Sequence, residues 1–162
     1  MQEKSFQTPF MLHDDLSQLT EQDLALINRA KEAAAGAYAP YSGFRVGAAA
    51  LMDDLSVVVG SNQENASFPA GLCAERVLLS TASSVASGKS MLTMAIVCES
   101  ELVAISEPVA PCGVCRQSLV EFEYRFKSPI RLLLVGSENK VLEFKTVSDL
   151  LPFAFKPNNL GK

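Results

Sequence analysis

Two short blocks constrain what this chain can fold into more than anything else in it: Cys73-Ala74-Glu75-Arg76 and Pro111-Cys112-Gly113-Val114-Cys115. They hold three of its four cysteines. Each block reads as the start of a helix. A cysteine at a helix N-terminus is favoured as a thiolate, because unpaired amide N–H groups and the helix dipole stabilise negative charge. Two such helix starts brought together present three sulfurs to one soft, four-coordinate cation. Zinc is the expected ion, one per chain, with its fourth position open to water. Glu75 stands two residues after one sulfur, where a carboxylate can move that water's proton. The fold therefore has to bring two helix N-termini to one place.

Other readings of the cysteines are duller. A C-x-x-C pair can be a redox couple, but that arrangement follows the first strand of a βαβ pattern, which is not where this one lies. A purely structural zinc site wants four protein ligands, and no fourth stands near these three in sequence. Cys98 lies in an apolar run and reads as a buried, inert thiol. Arg76 follows Glu75, and Arg116 follows Cys115. Either guanidinium could offset the negative charge of three thiolates, as groups around a metal site commonly do. The plain alternative for each is a surface charge.

The remaining chain is ordinary for one globular domain of 162 residues. A net charge of −4 and the lack of basic stretches argue against a nucleic-acid partner. No apolar run approaches the ~18 residues that a membrane span needs. The N-terminus shows no basic segment followed by an apolar block, so no secretory signal and a cytoplasmic location are expected.

Residues 1–19 are polar and irregular and read as a loosely held extension, with His13 facing solvent. The catalytic domain is then expected over residues 20–162. Thr20 with Asp23 reads as a capping box, and apolar spacing carries a helix to about Gly36. Phe44 to Met52 reads as a strand, Asp53-Asp54 as a turn, and Leu55 to Gly60 as the returning strand. The run Val57-Val58-Val59 predicts burial on both faces. Asn62 to Leu72 is a loop of functional length. A helix over Cys73 to Ala86, with Gly88 as its stop, precedes a strand over Met94 to Cys98. A connection over Glu101 to Ala110 follows. A helix runs from Gly113 to about Tyr124. Ile130 to Val135 and Lys140 to Phe144 read as strands joined by Ser137-Glu138-Asn139. Thr146 with Asp149 caps a short last helix over Val147 to Leu151, and an aromatic tail follows. A hairpin followed by strand–helix alternation predicts an α/β fold: three layers, α/β/α, around a mixed sheet of about five strands.

The pattern [HC]-x-E followed by P-C-x-x-C marks zinc-dependent nucleobase deamination. From Tyr38 to Phe155 the chain resembles the small cytidine deaminases of nucleoside salvage. The resemblance rests on ordered blocks: Pro40 to Ala49, Asn62-Gln63-Glu64-Asn65-Ala66-Ser67, Gly71 to Arg76, Pro111 to Gln117, and Leu150-Leu151-Pro152 with Phe155. It implies zinc held by Cys73, Cys112 and Cys115, and Glu75 as the proton shuttle. It implies Asn62 and Glu64 on the ribose hydroxyls, Phe44 lining the pyrimidine pocket, and Ala74 among the substrate-binding residues. Arg76 would donate to the thiolates. It also implies a homotetramer whose active sites lie at subunit interfaces, with Phe155 reaching a neighbour's pocket. The implied reaction turns cytidine and deoxycytidine into uridine and deoxyuridine, with release of ammonia. An amide and a carboxylate placed for sugar hydroxyls favour a nucleoside over a free base. Deamination of another aminopyrimidine, such as the nucleoside antibiotic blasticidin S, polynucleotide editing, and a non-catalytic zinc module remain as rival readings.

Overall fold

The computed structural model describes residues 1–100, 102, 105–136 and 139–161. Its elements are β1 (Met11–His13), α1 (Glu21–Ala35), β2 (Phe44–Met52), β3 (Val57–Ser61), α2 (Ala74–Val85), β4 (Met91–Ser100), α3 (Gly113–Phe126), β5 (Arg131–Val135) and β6 (Val141–Phe144). The strands form one mixed sheet in the order β1-β6-β5-β4-β2-β3. Six strands stand where about five are predicted, and β1 is the addition. Of the six described strands, only β4 and β5 pair in parallel. Glu101, Val103 and Ala104 of the connection, and Ser137 and Glu138 of the last turn, lie outside the described residues.

Alternation along each strand sorts the side chains to two faces. On β4, Ala95 and Val97 pack with Leu26, Ile27 and Ala30 of α1. Met94, Ile96 and Cys98 face the other way, toward Leu78 of α2 and Leu119 of α3. The result is the predicted α/β/α sandwich, with α1 alone on one face and α2 and α3 on the other.

Strand direction puts the metal blocks together. β3 and β4 each run antiparallel to β2, so they point the same way. The segments leaving their C-terminal ends lead into α2 and α3, so both helix N-termini arrive at one edge of the sheet. Ligand sites in open α/β sheets lie beyond the carboxyl ends of strands, as here. Gly60 lets α2 lie directly on β3. A Cβ there would come 2.5 Å from both the Ala74 carbonyl oxygen and the Leu78 nitrogen.

Local signals hold well. Thr20 caps α1 by accepting from the Asp23 N–H, and Asp23 reaches back to the Thr20 N–H, completing the box. The C-terminal segment Val147–Leu150 is a 3-10 turn, capped by Thr146 accepting from Ser148 N–H. β3 is an edge strand of the described sheet, so Val57 is exposed and not buried on both faces as its sequence predicts.

The N-terminal segment departs most from expectation. Met11, Leu12 and His13 pair with Glu143, Leu142 and Val141, covering the edge of β6. His13 is half-buried and not solvent-facing, with Nε2 2.8 Å from Glu143 Oε2. Thr8 donates to the Asp149 carbonyl, and the Phe6 ring meets Phe153 edge-on at 4.7 Å. Glu143 belongs to a larger network. Arg131 donates Nε and Nη2 to the two Glu143 oxygens at 2.7 and 3.0 Å, and Nη1 to Asp23 at 2.5 Å. This hydrogen bonding holds the Glu143 carboxyl below its usual range. One guanidinium so ties β5 to β6 and to the first turn of α1.

Candidate metal centre and cavity

Cys73 and Cys112 are the N-cap residues of α2 and α3. An N-cap side chain usually accepts from the first turn's free N–H groups. Neither of these does, so both sulfurs are free to turn outward together. Cys115, buried in the first turn of α3, completes the group. The Sγ atoms of Cys112 and Cys115 are 3.4 Å apart, those of Cys73 and Cys112 4.0 Å, and all three lie within 4.8 Å of one another. A zinc ion with Zn–S bonds of about 2.3 Å in a tetrahedron needs sulfurs about 3.8 Å apart. The three residues fit one zinc per chain.

As thiols, the sulfurs share protons unevenly. A hydrogen bond from Cys115 holds the Cys73 thiol down to about 6, and the Arg76 charge helps. The same bond, with burial, pushes the Cys115 thiol far up. A bound cation takes coordinating sulfurs as thiolates outright. Arg76 is half-buried on α2 and acts on Cys73 through its charge. Arg116 has a different task from a thiolate partner or a surface charge. Its Nε donates to the Pro111 carbonyl at 2.8 Å, and Nη1 donates to the Leu150 carbonyl at 3.2 Å. It braces the residue that precedes Cys112.

Glu75 occupies the first turn of α2 and is 5% exposed. Burial raises its carboxyl above the usual range. It lines a cavity of about 630 Å³ that also touches Cys73, Cys112, Phe44, Asn62 and Glu64. Of the predicted site residues, Ala74, Arg76, Cys115 and Phe155 do not line it. Ala74 is wholly buried against β3, where it sets the height of α2. Phe155 stands 58% exposed on the tail.

Asn62 and Glu64 are built into the cavity wall. Asn62 accepts from the Val46 N–H at 2.8 Å and donates to the Phe44 carbonyl at 2.9 Å. An amide has two donors and two lone pairs on oxygen, so one of each remains for a ligand. Glu64 accepts from Tyr41 N–H, Ser42 N–H and the Ser42 hydroxyl. The Ser42 hydroxyl, with the Tyr41 amide, holds its carboxyl below the usual range. A carboxylate offers about four acceptor positions, which leaves one for a ligand. Cys98 lines the floor and is buried as predicted, with burial pushing its thiol up to about 12. Tyr41 and Phe68, ring centroids 6.1 Å apart, stand exposed on the cavity lining. Sequence reasoning does not single them out, since neither sits on a regular apolar period.

Comparison with known proteins agrees with this centre. Residues 20–127 match the family model described as the cytidine and deoxycytidylate deaminase zinc-binding region. The chain is 40% identical over 136 residues to a cytidine deaminase of Halalkalibacterium halodurans, covering 84% of this chain and 96% of that one. It is 39% identical over 140 residues to a cytidine deaminase of Mycobacterium tuberculosis, covering 85% of this chain and 92% of the relative. Its fold superposes on the crystal structure of cytidine deaminase from Burkholderia pseudomallei with a TM-score of 0.70 at 39% identity, over 85% of this chain and all of that one. With three sulfurs at zinc spacing and the family's own region spanning them, the chain belongs to the cytidine and deoxycytidylate deaminase zinc-binding family.

Proposed function

We propose that this protein deaminates cytidine and deoxycytidine hydrolytically, giving uridine or deoxyuridine and ammonia. The observation that carries the reading is a group of three sulfurs, two of whose residues, Cys73 and Cys112, line one cavity together with a buried carboxyl, Glu75. The relatives above are named for cytidine, and that substrate is carried to this chain here. Cys73, Cys112 and Cys115 would hold zinc, whose chemistry there would be to acidify a water so that it can attack C4 of the ring.

The protein's own groups do the rest. Glu75 takes the water's proton and delivers a proton to ring N3. It then takes the remaining proton from the hydroxyl now on C4 and passes it to the exocyclic nitrogen, so that the C4–N bond breaks and ammonia leaves. A raised carboxyl pKa suits a group that both takes and returns protons. The spare lone pairs and N–H of Asn62 and Glu64 meet the ribose hydroxyls. Phe44 packs against the pyrimidine, and Ala74 seats the first turn of α2, which carries Glu75. Arg76 offsets the thiolate charge. The working unit is residues 20–162 in a cytoplasmic homotetramer, where Phe155 of one copy completes the cavity of another.

No helix among the described residues is long and apolar enough to cross a membrane. The direct test is the ultraviolet absorbance change on mixing purified protein with cytidine, deoxycytidine, cytosine or blasticidin S. Turnover of both nucleosides, and little of the free base, is expected. Turnover of blasticidin S alone, or none with full zinc, would sink the proposal.

A further inference from the structure

Gln117 lies on α3 two residues past Cys115, and both ends of its amide engage the tail. Nε2 donates to the Phe155 carbonyl at 2.8 Å, and Oε1 accepts from the Phe155 N–H at 3.1 Å. This is the two-point pairing that a neighbouring strand would make, supplied by one side chain. It fixes both backbone groups of Phe155. The ring draws no burial from it, being 58% exposed and absent from the lining of the chain's own cavity. A phenylalanine held for its own packing would bury its ring. Here the backbone is anchored and the ring is presented outward. The same helix grips the segment at two more points. Arg116 donates to the Leu150 carbonyl at 3.2 Å, and the Tyr124 hydroxyl donates to Asn158 Oδ1 at 2.8 Å. The helix that carries two of the three sulfurs therefore also sets the path of the tail.

We infer that Gln117 is a positioning residue for substrate binding. It fixes the Phe155 backbone so that the ring projects into the cavity of a second copy of this chain and closes over the bound pyrimidine. The inference deepens the function proposed above and rests on it. An unanchored tail would have to be ordered at each binding event, and preorganisation removes that entropic penalty. Gln117 touches neither substrate nor metal, so its loss acts on affinity.

The test compares wild type, Gln117→Ala, Phe155→Ala and the double variant by steady-state cytidine kinetics, zinc content and melting temperature. Gln117→Ala is expected to raise KM about three- to tenfold, the span that one aromatic contact supports. Its kcat should stay within about twofold, as expected when ground-state and transition-state binding fall together, with full zinc. Phe155→Ala should raise KM at least as much, and the double variant no further. An unchanged KM in Gln117→Ala, even with a lower melting temperature, overturns the inference and leaves an ordinary surface contact. So does zinc loss, or a double variant whose effects add. A wild-type KM in Phe155→Ala overturns the tail's role as well, while turnover by the wild-type enzyme leaves the deaminase reading intact.

Discussion

A carboxyl in the first turn of a helix ordinarily ionises readily, since the dipole there favours negative charge. For Glu75, burial works against this and wins, raising its pKa. A carboxyl raised in this way suits a group that both takes and returns protons. Glu75→Gln keeps the size and loses the proton. Turnover is expected to fall by on the order of a hundredfold or more, the usual scale for lost acid–base catalysis. Zinc by elemental analysis should remain one per chain, because the three sulfurs are untouched. The melting temperature should not fall, since a buried ionisable group is exchanged for a neutral amide. Near-normal turnover would assign the proton transfers to another residue.

At the scale of elements, the site depends on how α2 and α3 are seated. Gly60 is the contact that decides the height of α2, because the atoms it faces are backbone atoms that cannot rotate away. Gly60→Ala must lift the N-terminal turn of α2, carrying Cys73 and Glu75 with it. Overpacking of this kind costs about 1–3 kcal/mol. Weaker zinc retention against a chelator and a lower melting temperature are the expected outcomes; unchanged retention would show that the turn adjusts without moving its sulfur. Elements of this kind were legible where the signal is local. The Thr20–Asp23 box lies within four residues, and the motif blocks mark both helix starts. β1 was not legible, because Met11–His13 is too short for a period and its partner strand β6 lies 130 residues away at His13–Glu143. Val57 misled for a related reason: a run of three valines does not say whether its strand has a neighbour on each side. The three cysteines and Glu75 were readable from motif spacing, whereas Phe44, Asn62, Glu64, Ala74 and Phe155 entered only through the family resemblance. The tasks of Arg116 on Pro111 and Leu150 and of Gln117 on Phe155 pair positions distant in sequence and needed the fold.

For the whole molecule, the open question is which copy of the chain uses the tail. Phe153 is 83% exposed and Phe155 58%, on a segment tied to α3 by its backbone. Exposed aromatic rings rarely persist on a soluble surface without a partner. The Phe6–Phe153 contact covers one ring in part, and under the proposed function the Phe155 ring serves a neighbour. If sites are shared, two crippled chains can repair each other. Phe155→Ala chains keep the shuttle and lack the ring. Glu75→Gln chains keep the ring and lack the shuttle. In co-assembled oligomers, some cavities with Glu75 receive an intact ring from the other chain. Those cavities should return to the wild-type KM, so activity per intact Glu75 at low cytidine should exceed that of Phe155→Ala protein alone. The gain should vanish at saturating cytidine, where affinity no longer limits the rate. Separately purified proteins, mixed without subunit exchange, supply the baseline, and light scattering should report four chains per particle. No gain in verified mixed assemblies would mean that each ring serves its own chain or no site at all.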